Sequence, residues 1–110
     1  MELKKMPGDN YQIQGQTLIF SMPKELDHHV AQHLCKELDS LIESHVIKEL
    51  VLDFKQTEFM DSSGIGVIIG RGKTMQFRGG KVYAAHMGKR VQMIFDSVGL
   101  GRMVEVKEEM

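Results

Sequence analysis

Short apolar runs alternate along this 110-residue chain with longer segments in which apolar residues recur every three or four positions. Runs of this length predict β-strands, and the longer spacing predicts amphipathic helices. The predicted strands are Tyr11 to Gln14, Thr17 to Ser21, Glu49 to Phe54, Lys81 to Ala85 and Met103 to Val106. The predicted helices begin at Asp27, near Ser62 or Ser63, and at Lys89. Strands that alternate with helices indicate an α/β fold with right-handed crossovers between parallel strands.

The first predicted helix begins at Asp27, a residue type that favours the N-cap position. Pro23 ends the strand before it, because proline cannot donate to a strand ladder. A single apolar stripe along this helix consists of Val30, Leu34, Leu38, Leu41 and Ile42. The polar residues off that stripe, which we expect to face water, are Lys36, Glu37, Asp39 and Glu43.

Four glycines interrupt the apolar segment from Asp61 to Lys73, and each weakens a helix by roughly 1 kcal/mol. Periodicity alone leaves strand and helix open for this segment. We predict a helix, because Asp61 and the two serines that follow it are residue types that start helices. The face shared by its larger residues consists of Ile65, Ile68, Ile69 and Gly72. We expect the glycines to let this helix lie very close to the sheet.

Charge and cysteine content exclude several classes of function. The net charge is -1, so we expect no positive electrostatic field that would attract nucleic acid or an anionic membrane. The chain has no tryptophan, so we expect no aromatic surface on which bases could stack. Cys35 is the one cysteine and gives no sign of an oxidising compartment. The N-terminus lacks the apolar core of a signal peptide, and no apolar stretch is long enough to span a bilayer. We therefore expect one cytoplasmic domain over residues 1–110, with residues 1–9 irregular around Pro7-Gly8-Asp9.

Ser63 is the residue that the pattern singles out for chemistry. It is predicted at the N-terminus of a helix, where backbone N–H groups and the helix dipole favour negative charge. A phosphate on Ser63 would add about -1.5 to -2 charges there without disrupting the fold. The alternative is that Ser62 and Ser63 merely cap the helix. Asp27 likewise is either only an N-cap or part of an exposed surface that it shares with Ser63.

Catalytic and ligand-binding alternatives fit the residues less well. A nucleophile elbow needs glycine two residues before the serine, and Ser63 has Asp61 there. The glycines from Gly64 to Gly70 are one residue too widely spaced for a dinucleotide fingerprint, and Val67 stands where a P-loop ending at Thr74 needs glycine. Nucleotide binding or hydrolysis through residues 64–74 stays open as an alternative to close helix packing. His29 and His33 are four residues apart, but nothing completes a metal site, so we expect no metal and no cofactor.

Three motifs carry a resemblance to a known family. The stretch Phe59-Met-Asp-Ser-Ser-Gly-Ile-Gly-Val-Ile-Ile-Gly-Arg71 resembles the phosphorylation-site motif of the anti-sigma factor antagonists, the STAS-domain family. Glu25-Leu-Asp-His-His29 is similar to their second signature, and Phe95-Asp-Ser-Val-Gly-Leu100 to their third. The resemblance spans residues 11–106 and is closest to the antagonist used in sporulation. It implies a single STAS-like domain, with a mixed sheet of four to five strands packed against about three to four helices.

The resemblance also implies partner switching rather than enzymatic activity. The unmodified antagonist binds an anti-sigma factor that is also a serine kinase, in its ATP-bound or ADP-bound state, and so releases a sigma factor. Phosphorylation of the second serine of the motif, here Ser63, turns binding off, and a serine phosphatase restores it. Asp27 matches the family's aspartate at the kinase contact. The partner surface implied for this chain is Asp27, Asp61, Ser62, Ser63 and Gly64. A STAS module of a different assembly, such as a stress-signalling complex, is the other alternative.

Three departures from the family pattern carry expectations of their own. Pro23-Lys24 stands where the family often has glycine, so we expect the Asp27 loop to be shaped differently. The sequence stops at Met110, where relatives usually carry a further helix, so we expect one patch of core to be less covered. Pro7-Gly8-Asp9 differs from a clean first strand. None of these positions includes Ser63.

Overall fold

A five-stranded mixed sheet forms the centre of the computed structural model, which describes residues 10–107. The elements in chain order are β1 (Tyr11–Gln14), β2 (Thr17–Ser21), β3 (Glu25–Leu26), α1 (His28–Ser44), β4 (Glu49–Asp53), β5 (Phe59–Met60), α2 (Ser62–Phe77), β6 (Lys81–Ala85), α3 (Lys89–Ser97), a 3-10 turn (Leu100–Arg102) and β7 (Glu105–Lys107). The sheet order is β1-β2-β4-β6-β7, and only the β1–β2 pair is antiparallel. The predicted α/β fold is confirmed, and the prediction for residues 1–9 lies outside the described residues.

Apolar side chains of the parallel strands form the core together with α1 and α2. The central strands β2 and β4 contribute Leu18, Phe20, Leu50 and Leu52, all at most 1% exposed. The buried residues that the two helices contribute are Ala31, Leu34, Leu38 and Ile42 from α1, and Val67, Ile68 and Met75 from α2. Full burial of one such side chain stabilises the fold by roughly 1.5–3 kcal/mol. No helix within residues 10–107 combines the length and the apolar character needed to cross a bilayer.

A second, two-stranded ladder, which the sequence did not predict, packs against the helices. The two-residue strands β3 and β5 pair in parallel, with Glu25 opposite Phe59 and Leu26 opposite Met60. The chain enters this ladder through polar contacts, since Thr57 Oγ1 donates to the Pro23 carbonyl at 2.8 Å. Two residues are too few to show strand alternation, and for that reason the sequence pattern missed them.

The buried face of α2 agrees in part with the predicted one, since Ile68 and Gly72 are buried as expected. Val67 and Arg71 are buried, whereas Ile65 and Ile69 are only partly buried, and the helix continues to Phe77. The face is rotated because α2 packs against α1 as well as against the sheet. For the same reason the expectation that Asp39 faces water is wrong in part: its Oδ1 lies 3.2 Å from Arg71 Nε, and the side chain is 43% exposed.

The end of the chain also differs in detail from the prediction. Leu100–Arg102 forms a 3-10 turn with Met103 as its C-cap, so the last strand starts at Glu105 rather than at Met103. In α3, Val91 and Phe95 are buried as expected, and Ile94 is partly buried. These shifts leave the order of elements unchanged.

Gly64 is the point at which α2 approaches the β3–β5 ladder most tightly. A Cβ atom at this position would lie 2.4 Å from Met60 Cγ and 2.9 Å from Leu26 Cγ. Separations below 3 Å force a neighbouring atom to move, and both neighbours are buried core side chains. The sequence predicted that the glycines let this helix lie very close to the sheet. At Gly64 the close neighbours belong instead to the two-stranded β3–β5 ladder, and no atom lies within 4 Å of a Cβ at Gly66 or Gly70.

We expect Gly64→Ala to lower the free energy of unfolding by about 1–3 kcal/mol, because the added methyl group overpacks the contact with Met60 and Leu26. Gly66→Ala is the matched control, since no atom lies within 4 Å of a Cβ there. That change should raise the free energy of unfolding by roughly 0.5–1 kcal/mol through helix propensity. Urea denaturation of both variants measures the difference, and equal effects would show that the close contact carries no energetic weight.

Candidate functional site

The parallel β3–β5 ladder brings the starts of α1 and α2 side by side. Asp27 follows β3 directly and Asp61 follows β5 directly. The backbone N–H of Asp61 donates to the carbonyl of Leu26 at 3.3 Å, which extends the ladder by one residue to the N-cap of α2. The sequence-based suggestion that the Asp27 and Ser63 loops share one surface therefore agrees with the geometry.

Both aspartates are N-caps. Asp27 Oδ1 accepts from the backbone N–H of Val30 at 3.1 Å, and Asp61 Oδ1 accepts from the backbone N–H of Ser63 at 2.8 Å. Each carboxylate uses one oxygen for its cap, and an ionised carboxylate has lone pairs for further donors. The capping role of Asp27 and a role on the surface are thus compatible, because the cap does not exhaust the side chain.

Ser63 is the second residue of α2 and is partly buried, between the exposed Ser62 and the buried Gly64. Its place at the positive end of the helix dipole is the one predicted from the sequence. One part of the expectation needs correction: the N–H of Ser63 is not available to an added anion, because it already donates to Asp61. A phosphate on Ser63 would therefore lie at the same helix N-terminus as the carboxylate of Asp61, which is two residues earlier in the chain.

Gly64 belongs to the packing beneath this surface, as the short distances from its Cβ position to Met60 and Leu26 show. It holds the first turn of α2 against the ladder and so fixes the backbone position of Ser63. The outward surface is made by the neighbouring polar residues Asp27, Asp61, Ser62 and Ser63.

The glycine segment does not form a loop. Residues 64–74 lie inside the continuous helix α2, and a Cβ on Gly72 would lie 2.5 Å from Met103 Sδ. A P-loop needs a glycine-rich loop before the helix, with backbone N–H groups turned towards the phosphates. The nucleotide-binding alternative thus lacks its structural element, and the glycines serve close packing at Gly64 and Gly72.

The histidines of α1 lie on the solvent side of the helix. His29 and His33 are both exposed. Within residues 10–107 no group of three or more His, Cys, Asp or Glu side chains has an arrangement that could hold a metal ion.

Phe59 is a surface residue whose exposure sequence reasoning did not predict. It is 45% exposed, next to the buried Met60 and two residues before Asp61. The signal that could have found it is the pair of apolar residues directly before an N-cap, because neighbouring strand residues point to opposite faces. One of the two must then face outward.

Comparison with known proteins identifies the family. Residues 10–110 match the family model of the STAS domain, and the chain belongs to the STAS-domain family. An anti-sigma F factor antagonist of Paenibacillus polymyxa is 34% identical over 89 residues, which are 81% of this chain and 76% of that protein. A second anti-sigma F factor antagonist, from Lysinibacillus sphaericus, is 25% identical over 95 residues, 86% of this chain and 81% of that protein. Within the family, the chain therefore falls among the anti-sigma factor antagonists.

Solved structures show the same fold. The anti-sigma factor antagonist SpoIIAA in its unphosphorylated form superposes with a TM-score of 0.80 at 24% identity, covering 91% of this chain and 88% of that one. A putative anti-sigma factor antagonist from Thermotoga maritima superposes with a TM-score of 0.83 at 22% identity, covering 94% and 88%. The resemblance stated from the three sequence motifs is confirmed at the level of family and fold.

We expect Asp27→Ala to lower the free energy of unfolding by about 1 kcal/mol, because the N–H of Val30 loses its acceptor. Asp27→Asn keeps a side-chain oxygen at the N-cap and should change it by no more than a few tenths of a kcal/mol. Urea denaturation measures both variants. If Asp27→Asn is as unstable as Asp27→Ala, the capping hydrogen bond is not what Asp27 contributes to the fold.

Proposed function

We propose that this chain is a phosphorylation-controlled anti-sigma factor antagonist. In this proposal the unmodified protein binds an anti-sigma factor that is also a serine kinase, and thereby releases a sigma factor in the cytoplasm. The kinase phosphorylates Ser63, which ends the interaction, and a serine phosphatase restores it. The relative from Paenibacillus polymyxa is named for antagonism of an anti-sigma F factor, and the partner proposed here is the host organism's homologue of that factor, called the host kinase below.

The observation that carries the proposal is the position of Ser63. Its side chain is partly exposed in the first turn of α2, beside the N-cap of α1, on a surface fixed by the β3–β5 ladder. A protein kinase needs its target hydroxyl about 3–3.5 Å from the phosphorus that it transfers. A partly exposed serine in the first turn of a helix meets this need without local unfolding.

The short distance between Ser63 and the nucleotide of the kinase explains how phosphorylation would end binding. After transfer, the phosphate on Ser63 lies against the phosphates of the kinase-bound nucleotide. Like charges in a contact with little water repel strongly, and the desolvation of a dianion adds a cost on the order of several kcal/mol. About 4 kcal/mol would weaken binding roughly a thousandfold. The switch is therefore local and needs no large conformational change.

Each residue of the site has its own part in the proposal. Asp27 offers its remaining carboxylate oxygen to a donor on the kinase, while Asp61 and Ser62 form the flanks around Ser63. Gly64 contributes indirectly, because its close packing on Met60 and Leu26 holds the N-terminus of α2 in place. The protein itself supplies no catalytic group and no cofactor, and the proposed partners are proteins rather than nucleic acid or membrane.

Membership in a different STAS assembly uses the same chemistry. A stress-signalling complex with its own serine kinase would modify the same hydroxyl, so the identity of the kinase separates the two versions. A binding assay against the host kinase decides between them.

We expect the host kinase, with ATP and Mg²⁺, to phosphorylate the wild-type protein and Ser62→Ala but not Ser63→Ala. Mass spectrometry of the intact protein gives the extent of modification, and fragmentation gives the residue. Ser63→Ala should stay bound to the kinase in the presence of ATP, because the complex cannot be converted to the phosphorylated product.

Ser62→Ala is the matched control, since it removes the neighbouring hydroxyl in the same helical turn. Phosphate on Ser62, or full modification of Ser63→Ala, would overturn the assignment of the target residue. Absence of any binding or modification in the wild-type protein would instead overturn the host kinase as the partner.

A further inference from the structure

We propose that Phe59 is the apolar anchor of the kinase-binding surface, and that the kinase receives it in an apolar pocket flanked by basic side chains. This inference rests on the function proposed above and adds the chemistry of the partner's side. It concerns the outward face of the β3–β5 ladder, beside rather than at the phosphorylated serine.

The two faces of the ladder differ sharply in burial. Leu26 is 0% exposed and Met60 is 3% exposed, and both point into the core. Strand alternation turns Glu25 and Phe59 to the opposite side, where Phe59 is 45% exposed. A large aromatic side chain therefore stands on the outer face of a rigid, hydrogen-bonded ladder.

Phe59 is continuous with the candidate site. It precedes Asp61 by two residues, about 7 Å along a strand, and its outward direction is the one that Asp61 continues. A standard protein interface buries about 800 Å² on each partner, far wider than this separation of about 7 Å. A kinase that reaches Ser63 for phosphoryl transfer therefore also contacts Phe59. Phe59 thus falls under the same partner without a second contact surface.

Several carboxylates lie close to Phe59 in the sequence or in the ladder. Glu25 lies directly opposite Phe59 in the ladder, and Glu58 precedes it in the chain. Asp27 and Asp61 follow at the helix starts. Lys24 precedes Glu25 and pairs with Glu58, with its Nζ 3.9 Å from Glu58 Oε1.

An apolar centre with a charged rim is typical of the residues that dominate binding energy at protein interfaces. Because the rim is acidic, the complementary partner surface carries arginine or lysine side chains around an apolar pocket. Half-burial of Phe59 also restricts its rotamers before binding, which lowers the entropy lost on docking.

Phe77 supplies the matched control. It is 92% exposed, more than Phe59, but it is the last residue of α2 and lies about 21 Å from Ser63 along the helix axis. Exposure alone would make Phe77 the better anchor. Its distance from Ser63 places it outside the proposed contact.

The test is calorimetric titration of the full chain into the purified host kinase loaded with Mg²⁺ and a non-transferable ATP analogue. We expect Phe59→Thr to weaken binding roughly 30-fold or more, and Phe77→Thr to stay within about twofold of wild type. Threonine suits an exposed strand position, and urea denaturation verifies that the fold is kept. Phe59→Leu should recover most of the affinity, because it restores an apolar side chain without the ring.

A second pair of variants tests the charge of the rim. We expect Glu25→Gln to slow association with the host kinase and to weaken its salt dependence, whereas Glu43→Gln, exposed near the far end of α1, should change neither. Equal affinities for Phe59→Thr and Phe77→Thr would overturn the anchor, and an unchanged salt dependence in Glu25→Gln would overturn the basic rim. In both cases wild-type binding leaves the proposed function standing, whereas no wild-type binding would overturn the proposed function itself.

Discussion

The parallel pairing of β3 with β5 is the constraint on which the surface of this protein depends. Two residues from each strand and the hydrogen bond from Asp61 N–H to the Leu26 carbonyl hold two helix starts beside one another. Leu26 and Met60 tie the ladder to the core, and Gly64 lets α2 close onto it. Each aspartate then follows its strand and caps its own helix. The ladder therefore determines, through very few residues, which side chains a partner meets.

Most of the free energy that stabilises this arrangement comes from buried contacts rather than from the polar surface residues. Leu26 and Met60 are buried, and the first turn of α2 has no space for a Cβ at Gly64. The polar groups above contribute two capping hydrogen bonds, each worth about 1 kcal/mol. The surface residues can thus change charge while the core holds the backbone in place. This separation is what a modification switch needs.

The sequence predicted the elements that strong local patterns specify. Asp27 and Asp61 mark helix starts by residue type, and Ser63 falls in the first turn of α2 as expected. The ladder between them escaped prediction because two-residue strands carry no periodicity. Part of the buried face of α2 escaped it because Arg71 is placed by Asp39 on the neighbouring helix, a tertiary contact that no local pattern reports. The bond between Asp61 and the Ser63 N–H was also beyond the sequence, which indicated a cap but not which N–H group it occupies.

In the proposed mechanism, one dianion on a preformed surface decides between a bound and an unbound partner. The most direct measurement is calorimetric titration of the unmodified and the Ser63-phosphorylated protein into the host kinase, both with the same bound nucleotide. We expect the phosphorylated form to bind about a thousandfold more weakly, with its urea denaturation midpoint little changed. Equal affinity of the two forms would show that phosphorylation of Ser63 does not control kinase binding.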